Sequence, residues 1–187
     1  MTHTLHREGN SEDLKKDFVV IAMPAVGITT EGSGVKLKRF LEIGKRYNPI
    51  NAGDSKRGNA FSFGNIDNLI NEVKDGDICH VVYSKIESLV SFLEALKQED
   101  LGLSITVSGL IDVVGECCNK VSLQRNSVNF SLGIYGNIDK LVKDDVREVV
   151  TLCGHGMVTG DLVLNMVEKI KKGKLTPEKA SEDLASL

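Results

Sequence analysis

Tryptophan is absent from this 187-residue chain, and six Phe with three Tyr make up its whole aromatic complement. So few flat rings make a base-stacking platform for single-stranded nucleic acid unexpected. Positive charge is not in excess either. Lys and Arg number 23 against 26 Asp and Glu, a formal net charge of −3, so no basic stripe faces a phosphate backbone. No nucleic-acid partner is expected. No apolar run approaches the roughly 20 residues of a membrane-spanning helix, and the opening MTHTLHREGNSEDLKKD lacks the hydrophobic centre of a signal peptide. A cytoplasmic protein with no membrane partner is the expectation. Cysteine is sparse. Cys79, Cys117, Cys118 and Cys153 fall in apolar or semi-apolar stretches without regular spacing, and read as reduced, buried thiols rather than a disulfide framework.

What is present is an alternation of short β-rich runs with helical periods. DFVVIAMPA, DICHVVYS, LSITVSG and SVNFSLGIYG read as strands. VKLKRFLEIGKRYN carries apolar residues on one helical face, and Pro49 helps to stop it. NIDNLINEVKDG opens with Asn65 as N-cap and closes on Gly76, while SKIE reads as a capping box of Ser84 with Glu87. LIDVVGECCNKV is a further short helix, and AFSF is a candidate hidden strand in the long loop after Pro49. After Gly136 the pattern is helical, ending in TPEKASEDLASL with Thr176 as cap and Pro177 in the first helical position. GNIDNLI and GNIDKLV look like a repeat, and are read as one capping solution used twice. The chain stops at Leu187 on an apolar face, as a truncated chain would.

This alternation predicts an α/β fold: a mostly parallel or mixed sheet of four to five strands, helices on both faces and a helical C-terminal tail. A ferredoxin-like α+β sandwich is the alternative. One domain is expected overall, with a polar leader over 1–16, an α/β core over 17–136 and a helical extension over 137–187 packed on it.

Twelve of the 18 glycines fall on this reading in turns after strands, before helices or in the long loop. In a parallel sheet these turns gather at one edge, where ligands bind. GITTEGSG, with Thr29, Thr30, Gly32, Ser33 and Gly34 ahead of a helix N-terminus, is the most phosphate-like. It matches neither the Walker A nor the G-x-G-x-x-G pattern. Lys56 and Arg57 in GDSKRGN are candidate anion contacts, with Asp54 to orient one or act as a base. Ser108, Gly109, Gly133, Tyr135 and Gly136 complete the expected rim.

Cys153 and His155 stand two apart between glycines, so a turn can present both. A structural zinc site needs about four ligands in paired spacings, and no second pair exists. This leaves His155 as the acid/base candidate, assisted by Cys153 or Asp54, with Cys153 and His155 as weak metal candidates. Three expectations follow. The first is a domain binding a small anionic metabolite or cofactor, with or without catalysis. The second is a non-catalytic accessory or assembly subunit, a homo-oligomer or one that docks on a protein partner through its C-terminal helices. The third is a metal or redox protein built on Cys153 and His155.

Overall fold

The computed structural model describes residues 7–153 and 156–187. They form two compact units, one of Ser11–Val128, the other joining residues 7–10 to Asn129–Leu187. The units therefore part at 128 rather than at the expected 136.

The first unit runs α1 (Ser11–Leu14), β1 (Phe18–Met23), α2 (Ser33–Lys45), β2 (Asn51–Asp54), β3 (Gly58–Asn59), α3 (Ile66–Glu72), β4 (Cys79–Tyr83), α4 (Ile86–Glu99), β5 (Ser104–Ser108) and α5 (Ile111–Lys120). Its strands lie in the order β3-β2-β4-β1-β5, and every neighbouring pair is antiparallel. This corrects the expectation of a mostly parallel sheet. The strands joined through α2, β1 and β2, do run the same way, but β4 lies between them. Those joined through α4, β4 and β5, likewise enclose β1. A strand–helix–strand rhythm reads the same whether the crossover lands on the adjacent strand or the one beyond.

Alternation along the strands shows which face is covered. Phe18, Val20 and Ala22 of β1, Ala52 of β2, and Cys79, Val81 and Tyr83 of β4 are buried in one cluster with Leu37, Phe40, Leu89 and Phe92 of the helices. The opposite parity, Val19, Ile21, Met23, His80 and Val82, is only half-buried and has no part in that cluster. The helices α2 to α5 of this unit thus gather on one face of its sheet, not on both as expected. A close approach of helix to sheet is at Gly44. A Cβ there would lie 2.9 Å from Val81 Cγ2, and the Tyr83 hydroxyl donates to the Gly44 carbonyl at 2.8 Å. Buried Cys117 and Cys118 complete this core as expected.

Several local expectations hold. The Asn65 side chain accepts from the Asn68 amide at 2.8 Å, and Thr176 caps the last helix with Pro177 at its start. Others need correction. Lys85, not Ser84, precedes α4, and no side-chain cap bond forms. AFSF is a turn, and the real strands lie before it. The second GNID copy makes only a 3-10 turn, Ile138–Lys140, with no cap from Asn137, so the likeness does not extend to structure. SVNFSLGIYG forms no strand: Phe130 is 64% and Leu132 74% exposed. β-propensity describes fit to a pleated, half-buried surface, and this segment has no ladder to join.

The second unit contains that turn, α6 (Asp144–Cys153), α7 (Gly160–Lys171) and α8 (Pro177–Ala185). Val146, Val150, Val158 and Val163 are its buried core, with Leu184 packed against them. The leader contributes: the Glu8 amide donates to Thr151 Oγ1 at 3.1 Å, and Arg7 donates to the Glu148 carbonyl at 2.9 Å. Leu152, Met157 and Leu164 remain exposed. No helix among the described residues is long and apolar enough to cross a membrane.

Candidate functional site

Antiparallel pairing divides the expected rim between two ends of the sheet. Ala22, Cys79 and Asp54 are in register at one end, so the loops after β1 and β2 meet the loop before β4. Ser108 pairs with Val19 at the other end. There Gly109 packs on Phe18, its missing Cβ only 2.8 Å from that ring. Gly133, Tyr135 and Gly136 belong to the second unit, where the Tyr135 hydroxyl donates to the Leu132 carbonyl at 2.5 Å. Cys153 is the last residue of α6. His155, and with it the Cys153–His155 pair, lies outside the described residues.

At the first end, the phosphate-like loop is already satisfied. α2 begins after Gly32, whose φ of 72° no branched residue would adopt without strain. The amides at its start donate to one carboxylate: Gly32 to Asp75 Oδ2 at 2.9 Å and Gly34 to Asp75 Oδ1 at 2.6 Å. These two amides hold the Asp75 carboxyl below its usual range. An anion at a helix N-terminus is favourable, and here the chain supplies it. Gly34 lets the two backbones meet, since a Cβ would fall 3.0 Å from the Asp75 nitrogen. The hydroxyls turn inward as well. Thr29 Oγ1 accepts from the Ala25 amide at 2.9 Å and Thr30 Oγ1 from the Gly27 amide at 3.1 Å. Buried Ser33 donates to the Thr30 carbonyl at 2.6 Å and accepts from the Gly76 amide at 2.9 Å.

Lys56 and Arg57 are committed too. Asp54, 3% exposed, accepts the Lys56 and Arg57 amides at 2.8 and 3.0 Å, which closes the turn after β2. Asp77 accepts from the Arg57 guanidinium, from Lys56 Nζ at 3.3 Å and from the Lys74 amide at 2.7 Å. Burial alone would raise its carboxyl, but those donors outweigh it and hold it below the usual range. The Cys79 thiol beside them is pushed up to about 12, by burial first and then by the charges of Asp54 and Asp77. This thiol is no nucleophile at neutral pH. Asp75 and Asp77 are the residues that sequence reasoning missed. Their signal was KDGD, two acids around a glycine, opposite a basic pair and a helix start.

His80 occupies the other face of the same strands. Gly53, its cross-strand partner, makes room for the imidazole, because a Cβ there would collide with the ring. Burial lowers the imidazole pKa against an opposing pull from Asp54. The imidazole therefore folds neutral. Its contribution is complete above the unfolded value near 6.5 and is lost as pH falls through the lower folded value. Between pH 7 and 5, wild-type stability should decline more steeply than that of His80→Gln. The difference in slope is at most about 1.4 kcal/mol per pH unit for one proton. Parallel curves in denaturant titrations would refute this assignment.

Two hollows flank these groups. A smaller one of about 210 Å³ is lined by Met23, Pro24, Val26, Thr30, Gly76 and Ile78. A larger one, about 450 Å³, lies by the start of β2 between Lys45 and Ile66, but its Lys45 is paired with Asp67 at 2.6 Å and its Asn65 caps α3. The unusual surface is beside the first. Val26 is 92% and Ile28 84% exposed on a loop pinned by its own threonines, and Val35, in the first turn of α2, is 75% exposed. No family model, no curated protein and no solved structure matches this chain.

Proposed function

We propose that this chain is a non-catalytic accessory protein, a ferredoxin-like scaffold that docks an apolar surface of a protein partner on its β1–α2 loop. The supporting observation is the near-complete exposure of Val26 and Ile28 on a loop whose amides and hydroxyls are already bonded to one another. Val26 shares the walls of one hollow with Met23, Pro24 and Ile78, and a contiguous apolar patch, unlike scattered surface aliphatics, marks an interaction site. Exposed Leu152, Met157 and Leu164 in the second unit offer a further contact of the kind expected for the C-terminal helices. The small-anion reading ranks below this one, because Asp75, Asp77 and Asp54 already meet the charges it would use.

A photo-cross-linking residue at position 26 or 28, in cells expressing the full chain, should give a discrete adduct. One at Glu42, on the exposed side of α2, should not. Val26→Ser with Ile28→Ser should abolish co-purification of the cross-linked protein and leave the melting temperature nearly unchanged. No adduct, together with a melting shift from any of a panel of phosphorylated metabolites, would overturn the proposal in favour of the anion reading.

A further inference from the structure

β5 ends the sheet, pairing with β1 on one side and with no strand on the other among the described residues. Exposed edges are normally protected by Lys, Pro, a bulge or a covering element. Ser104-Ile105-Thr106-Val107-Ser108 has no charge and no proline, and four of its five residues are exposed. The sequence also reads alike in both directions: hydroxyl, aliphatic, hydroxyl, aliphatic, hydroxyl.

We propose that β5 pairs antiparallel with β5 of a second copy of this chain, about a two-fold axis normal to the sheet at Thr106. Reversal about Thr106 sets Ser104 opposite Ser108, Ile105 opposite Val107 and Thr106 opposite its own copy. Ile105 and Val107 are opposite Ala22 and Val20 across β1, so they point to the helix-covered face. Ile105 is 37% exposed there, with no strand on its outer side among the described residues, and the partner's Val107 would supply that neighbour. The hydroxyls line the opposite face, where cross-strand Thr–Thr and Ser–Ser contacts are favourable. A rotation about the sheet normal keeps both helix layers on one side, giving a continuous ten-stranded sheet and a self-complementary interface.

Sedimentation velocity should show the full chain as a dimer that dissociates on dilution. Thr106→Lys and Thr106→Glu, each placing like charges directly opposite at the axis, should each be monomeric with unchanged circular dichroism. An equimolar mixture of the two should recover the dimer, because opposite charges then meet. A wild-type chain that is monomeric up to about 100 μM, within the range of a weak standard interface, would overturn the proposal. So would a dimer that Thr106→Lys leaves intact. Neither result bears on the β1–α2 loop.

Discussion

Replacing Phe92 by Ala should cost about 3–5 kcal/mol of unfolding free energy, a large loss for a single truncation. Phe92 has no exposed surface, and its ring joins three others: Phe40 and Tyr83 at centroid distances of 5.3 Å and Tyr47 at 6.3 Å, all tilted. Those contacts span α2, β4 and α4, so the ring holds two helices to the central sheet at once. The surroundings cannot collapse into the void, because Tyr83 is tethered to Gly44 by its hydroxyl and Gly44 already touches β4. A residual cavity is therefore expected, and cavity volume sets where in the range a truncation falls. Phe92→Leu, which keeps most of the volume, should cost less than half as much. Denaturant unfolding followed by near-ultraviolet dichroism of the tyrosines measures both. A loss below about 1 kcal/mol for the alanine variant would mean that the aromatic cluster is not the centre of the core.

The second large effect is expected at Asp77. Its carboxylate is 1% exposed and receives Arg57, Lys56 and the Lys74 amide. Removing one partner of a buried ion pair typically costs 3–5 kcal/mol, because the remaining charge stays desolvated. Arg57 keeps Asp54 at 3.4 Å and is 24% exposed, and Lys56 is 57% exposed, so water relieves part of that penalty. Asp77→Ala should therefore cost about 2–3 kcal/mol at pH 7, and Asp77→Asn somewhat less. The dependence on pH has a definite sign. A carboxyl held below its unfolded value stabilises the fold above that value, near 3.8, and the benefit is lost as pH falls through the lower folded value. The gap between wild type and Asp77→Ala should thus narrow below about pH 4. A constant gap down to pH 2.5 would show that the side chain acts by shape and not by charge.

Much of the fold was legible in the sequence because its signals are local. Strand-forming runs such as FVVIAM and CHVVY, the Asn65 and Thr176 caps and the apolar stripes of α2 and α4 depend on neighbours within a few positions. Strand direction was not legible, because adjacency in the sheet is settled by which crossover skips a strand, and nothing in the residues of α2 records that β4 lies between β1 and β2. The error at SVNFSLGIYG has a related cause: a strand is defined by its partner, and its own pattern does not name one. At the site, the sequence showed the cations and the glycines correctly as types but not what they answered. Gly34 reads as room for a ligand until Asp75 is seen against it. Lys56 and Arg57 read as free cations until Asp54 and Asp77 are seen beneath them.

The position of β1 has a consequence for how the chain acquires its structure. Although it is made first among the strands, it ends inside the sheet between β4 and β5, where Val20 meets both Val81 and Val107. On a ribosome its apolar side chains must wait until Ser108 has been synthesised and clear of the exit tunnel before both flanks can close. Pairings between residues so far apart in sequence slow folding and lengthen the exposure of sticky segments. Refolding of this unit should accordingly be slow for its size, and interrupting translation ahead of β5 should yield nascent chains that depend on chaperones.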